Sequence, residues 1–231
     1  VGSTLTTWST QVASLVRDAS GVDVSSAQAR DVGVIPALAQ YSIDRPRTVV
    51  VDITRLADRY SAIPTPAQGW SDNWSQVTRV EVPAGQTPPQ PVDFEMTRDP
   101  STPATQRILL PEGTGTGAVR VFFTAPWPTP TTDPAVDLVS PVGFSAVTSL
   151  AAAMVLLSMA AEASRSRQGA LATDFVDGSD RTRDFLDVAA GLRVVYNTFI
   201  GLGQVAGQTP SASDRQLRST KIDRPPRVVA W

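Results

Sequence analysis

Residues 138–161 read LVSPVGFSAVTSLAAAMVLLSMAA, an uncharged run of 24 residues. That is long enough to cross a bilayer as a helix. It is also rich in Ala and Ser, carries Pro141 near its start and has no flanking cations on its first side. Small residues equally suit close helix–helix packing in a protein core. The run is therefore read as a buried central helix over about 143–167 and not as a membrane span. A helix apolar all round must be surrounded, so the rest of the chain has to supply its neighbours.

Those neighbours lie on both sides. Upstream, TLTTWSTQVASLVRD at 4–18 places Trp8, Val12, Leu15 and Val16 at helical spacing. Ser25 or Ser26 can cap a second helix running to about Tyr41, with a kink expected from Gly33 and Pro36. Downstream, Ser179 or Asp180 is expected to cap a fourth helix to about Ile200. Its apolar positions Phe185, Val188, Ala189, Leu192, Val195, Tyr196 and Phe199 recur at three and four, the pattern of one buried face. Gly201 and Gly203 follow as stop signals.

Between the helix pairs the pattern changes. TVVVDI at 48–53 is β-branched and reads as a strand. Residues 76–82, 92–97, 107–110 and 119–124 are four more candidates. PAGQTPPQP at 83–91, RDPSTP at 98–103 and PEGTGTG at 111–117 separate them as turns. No strand–helix–strand rhythm appears, which speaks against a doubly wound nucleotide-binding fold. The fold class is α+β: a small bundle of about four helices with an inserted antiparallel β segment and an extended C-terminal tail. The expected division is 1–43 for the first bundle helices, 44–135 for the β lobe, 136–201 for the remaining helices and 202–231 for an arm. An insertion of this kind needs only that its two ends lie close together on the bundle.

The composition narrows the function. The chain of 231 residues has 20 Lys plus Arg against 22 Asp plus Glu, a net charge of −2, which is not that of a strongly basic nucleic-acid binder. It has no cysteine and no histidine. Disulfides, thiolate nucleophiles, thiolate zinc sites and every His-based triad are thereby excluded. Any chemistry would fall to carboxylates or to Ser and Thr, and no metal or cofactor is expected. GTGTG at 113–117 lacks the Lys-Ser/Thr of a phosphate loop and reads as a hairpin turn. Asp174, Asp177 and Asp180 read as the acidic N-terminal end of a helix, not as a metal site. The N-terminal VGSTLTTWSTQVASLVRD has no cationic start followed by an apolar core and does not read as a signal peptide.

Contact residues are the stronger signal. The tail carries Arg215, Arg218, Lys221, Arg224 and Arg227 against Asp214 and Asp223, a cation every three residues. Trp231 follows Val228, Val229 and Ala230, and an aromatic in a polar tail makes a good anchor in a partner's pocket. These six residues form a candidate docking arm. Its IDRPPRVVA at 222–230 echoes IDRPRTVVV at 43–51, so the arm reads as an extended, strand-competent peptide able to add to a sheet edge or lie in a groove. Trp70 and Trp74, in GWSDNWS, either pack on the sheet or serve as candidate inter-subunit contacts.

ALAQYSIDRPR at 37–47, RVFFTAPW at 120–127, the alanine-rich helix from 145 and DFVDGSDRTRDFLDVAAGLRVVY at 174–196 together resemble the head–tail connector (adaptor) proteins of tailed bacteriophages. The resemblance covers roughly 35–200, and the β insertion is longer than is usual in that family. It implies a structural protein of the virion neck, assembled in the host cytoplasm. It also implies a twelve-membered ring that binds the portal protein, receives a stopper or tail-completion protein and lets double-stranded DNA pass, with no membrane and no catalysis. A carboxylate-based hydrolase and a small non-catalytic envelope binding module are the alternatives.

Overall fold

The computed structural model describes residues 3–55, 59–88, 90–98, 106–111, 117–132, 139–166 and 175–201. Four helices and two antiparallel sheets occupy them. The helices are α1 (Leu5–Ser20), α2 (residues 26–44), α3 (Pro141–Ser166) and α4 (Phe175–Phe199). The strands are β1 (Arg47–Thr54), β2 (Tyr60–Ala62), β3 (Val77–Glu81), β4 (Pro91–Val92), β5 (Glu95–Arg98), β6 (Gln106–Leu109) and β7 (Ala118–Ala125). All seven strands lie between α2 and α3, so the β lobe is an insertion into an α-helical bundle.

The bundle forms around α3. Ser140 caps it, accepting from the Gly143 amide at 3.1 Å, and Pro141 occupies the first helical position, where no N–H is needed. Trp8, Val12 and Val16, at successive fours on α1, are fully buried against it, and the Trp8 ring meets Phe144 edge-on at 4.5 Å. Ala151, Ala152 and Ala153 are fully buried and let the neighbouring helices approach closely. The polar residues of α3 enter the core because their hydroxyls return to the helix's own carbonyls: Thr148 donates to Phe144 O at 2.9 Å and Ser149 to Ser145 O at 2.8 Å. By length and composition alone α3 would span a membrane, yet most of its apolar stretch is enclosed by protein.

The disturbance expected in the second helix is a π-helical turn over Ala29–Val34. Pro36 has no N–H for the carbonyl one turn back, and a widened turn relieves the clash of its ring. Gly33, inside that turn, sits against α3: a Cβ there would lie 3.0 Å from Val155 Cγ2 and 3.1 Å from the Ala151 carbonyl oxygen. The helix then continues past Tyr41 to Asp44.

The lobe has its own core. One sheet has the order β1-β7-β3-β4 and the other β2-β6-β5, every pairing antiparallel. Val119, Val121, Phe123 and Ala125 alternate inward along β7 and meet Val80, Ile108 and Leu110. Asp52, Arg120 and Glu81 stand in one row across β1, β7 and β3, with Glu81 itself buried. Arg120 Nε donates to Asp52 at 2.7 Å, and Arg79 pairs with Glu81 at 2.6 Å.

Three expectations change. Tyr60–Ala62 is a strand that the sequence did not announce; three residues are too few for an alternation to register. Residues 92–97 divide into β4 and β5. The fourth helix begins by Phe175, ahead of Ser179 and Asp180, which lie within it instead of capping it. Gly178 does not stop it, because one glycine costs a helix only about 1 kcal/mol. The turn at 113–117 lies mostly outside the described residues, and so does Asp174.

Candidate docking surface at the junction end of the bundle

Both ends of the lobe join the bundle at one place. Arg47, the first residue of β1, is the register partner of Ala125, the last of β7. Directly before Arg47 is the end of α2, and directly after Ala125 the chain turns along it. Ser42 organises the corner. Its hydroxyl donates to Leu38 O at 2.8 Å and accepts from the Trp127 amide at 3.0 Å. The Trp127 indole N–H donates to Arg45 O at 2.6 Å, and its ring stacks obliquely on Tyr41 at 5.9 Å.

The end of α4 closes the same corner. The Tyr196 hydroxyl donates to Asp44 Oδ2 at 2.5 Å, while Gln40 Nε2 donates to both oxygens of that carboxylate. Burial, and then the adjoining carboxylate of Asp44, push the Tyr196 phenol well above the ordinary tyrosine value. Burial also raises Tyr41, against the opposing pull of Arg45. Arg45 donates through Nε and Nη2 to the Ile200 carbonyl, at 3.1 and 2.5 Å. A C-terminal carbonyl of α4, without a partner inside its helix, is thus held by a cation, the sign that helix polarity favours there. Gly143 lets α3 start close by: a Cβ would lie 2.6 Å from the Tyr41 hydroxyl.

Around this polar corner the surface is apolar. Val195 and Phe199, expected on the buried face of α4, are exposed, as are Ile43 and Val142. Phe199 and Val142 flank a groove of about 180 Å³ floored by Tyr41, Gly143 and Ala146. The expected stripe therefore divides. Phe185, Ala189, Tyr196 and Ile200 are buried in the bundle, while Val195 and Phe199, each one position earlier and so turned about 100° around the helix, are left outside. The signal for this surface was in the sequence, but periodicity tells which residues share a face and not what covers it.

The other expected contacts fall differently. Trp70 takes the first of its two expected places: at 6% exposure it is lobe core, packed on Phe123 at 5.4 Å with its N–H on Asp72, and the inter-subunit alternative is corrected because almost no surface is left for a neighbour. Trp74 is half-buried in the same loop. Arg215, Arg218, Lys221, Arg224, Arg227 and Trp231 lie outside the described residues.

A separate cavity of about 480 Å³ lies between Ala19–Val22 at the end of α1 and Arg181, Asp184, Phe185, Asp187 and Val188 of α4. Asp187 there is within 4.0 Å of Arg183. No cluster of three metal-ligating side chains occurs among the described residues. Comparison with family models, with curated proteins and with solved structures returns no match.

Proposed function

We propose that this chain is a structural subunit of a phage neck: an adaptor ring that joins the portal to the tail or stopper and continues the DNA channel. The observation that supports it is the exposed apolar end of the bundle. Val142 of α3 and Phe199 of α4 line one groove at the end where the lobe is attached and α4 releases the chain, and Ile43 and Val195 are exposed near the same ends of α2 and α4. A cluster of this kind, rimmed by polar groups, marks a contact with another protein. Ring contacts are heterologous, one face of each subunit meeting a different face of the next, and this end supplies one such face. The arm at 202–231 then serves as the grip on the portal protein, with Arg215, Arg218, Lys221, Arg224, Arg227 and Trp231 as its docking residues. The small negative net charge suits a channel through which DNA slides without being held.

Light scattering on the full chain, alone and with a phage portal protein, tests this reading. Assembly beyond the monomer is expected, with Val142→Asp and Phe199→Asp each reducing it and truncation after Gly203 removing portal binding. A monomer at all concentrations that ignores the portal would end the proposal.

A further inference from the structure

β1 is the one long strand edge left open among the described residues. Its inner side pairs with β7 through eight consecutive partners, from Arg47↔Ala125 to Thr54↔Ala118, with no shift. Its outer side has no strand beside it, and β2 touches only beyond its end, through the Arg55↔Ser61 bridge. The sheet's other edge, β4, is two residues long and includes Pro91. The edges of the second sheet, β2 and β5, have three and four residues. Natural sheets guard their edges by shortness, proline, bulges or lysines. RTVVVDIT is eight residues long with no proline, bulge or lysine, its charges are confined to Arg47 and Asp52, and Val50 stands half-exposed in its middle.

The sequence contains a partial echo of the stretch leading into this strand, of which the arginine and the valine pair fall within β1, while Ile43 and Asp44 end α2 and Arg45 and Pro46 precede the strand. IDRPPRVVA at 222–230 repeats the Ile-Asp-Arg-Pro, the arginine and the valine pair of IDRPRTVVV at 43–51. The chain also departs from the right place. Arg45, two residues before β1, holds the Ile200 carbonyl, and Gly201 follows at φ 73° against the same guanidinium. About 30 residues remain from there, with an extended reach of roughly 100 Å, several times the roughly 26 Å of β1.

We propose that residues 226–230 of one subunit add as a strand to the outer edge of β1 in a second copy of this chain. Main-chain hydrogen bonds would supply the affinity, and side chains alternating along the added strand the specificity. The pairing rests on the open edge and the repeated pattern. The choice of a second copy over the chain's own edge rests on the ring reading.

Because the chain has no cysteine, single substitutions report cleanly. Val50→Cys in the full chain is mixed with Val228→Cys or with Val229→Cys and oxidised gently. Successive residues of a strand face opposite sides, so only one arm position shares the face of Val50. A covalent dimer is expected with one of the two, at least tenfold over the other. Deleting residues 222–231 should speed amide exchange across 47–54 at least tenfold while the circular dichroism of the bundle stays unchanged. The proposal is overturned by dimer in neither mixture, by equal dimer in both, by unchanged exchange, or by a cross-link found only within one doubly substituted chain. Rings on the portal without the cross-link would sink the strand pairing and spare the adaptor reading. The cross-link without portal binding would do the reverse.

Discussion

The guanidinium of Arg45 grips the carbonyl of Ile200 across 155 positions of sequence, with Nη2 at 2.5 Å. This contact fastens the point where the bundle ends to the point where the lobe begins. Arg45→Met removes both hydrogen bonds and leaves the end of α4 uncapped. A loss of about 1–2 kcal/mol is expected in urea unfolding, with faster amide exchange confined to the last turn of α4. Unchanged exchange there would show that the grip does not hold the helix end.

Tyr196 makes the corner sensitive to alkali. Its folded-state pKa lies above the ordinary value near 10 because burial and Asp44 both oppose the phenolate. Between that ordinary value and the higher folded one, the unfolded chain releases a proton that the native state keeps. Stability is thus fully present below pH 10 and declines as the pH rises above it. Tyr196→Phe should cost about 1.5 kcal/mol at pH 7 through the lost bond to Asp44. It should also flatten the decline above pH 10, which a series of melts from pH 7 to 11 would reveal.

Two glycines should answer in opposite directions. Gly33→Ala pushes a methyl against Val155 and the Ala151 carbonyl, and a backbone oxygen cannot step aside. A destabilisation of about 1–3 kcal/mol is expected. Gly191, on the exposed side of α4, has nothing within 4 Å of its would-be Cβ. Gly191→Ala should stabilise the monomer by about 0.5–1 kcal/mol through helix propensity alone.

The lobe should be removable. Arg47 and Ala125 are paired, so their Cα atoms are only about 5 Å apart. Replacing 47–125 with a short Gly-Ser linker leaves Ser42, Arg45 and Trp127 in place. The shortened chain should remain helical and melt cooperatively. A molten, non-cooperative product would mean that the bundle core depends on the lobe.

Much of this architecture was legible in the residues. The uncharged run at 138–161, the spacing of Trp8, Val12 and Val16, and the β-branched TVVVDI each state a local preference that agrees with the fold. What stayed hidden depends on distance. Nothing local shows that Arg45 will meet Ile200 or that Ser42 will meet Trp127, because those contacts exist only once distant parts of the chain have come together. The exposed Phe199 reverses what its surroundings in sequence suggest, and for Trp70 the sequence left packing on the sheet and a subunit contact both open. An aromatic in a polar loop became lobe core, and an aromatic on a regular helical face was left outside.

The most direct measurement is electron microscopy of the full chain mixed with a portal protein of the proposed kind, beside the form truncated after Gly203. The account predicts a ring of twelve subunits seated on the portal with the full chain and bare portals with the truncated one. Bare portals in both preparations, with this protein remaining monomeric, would contradict it.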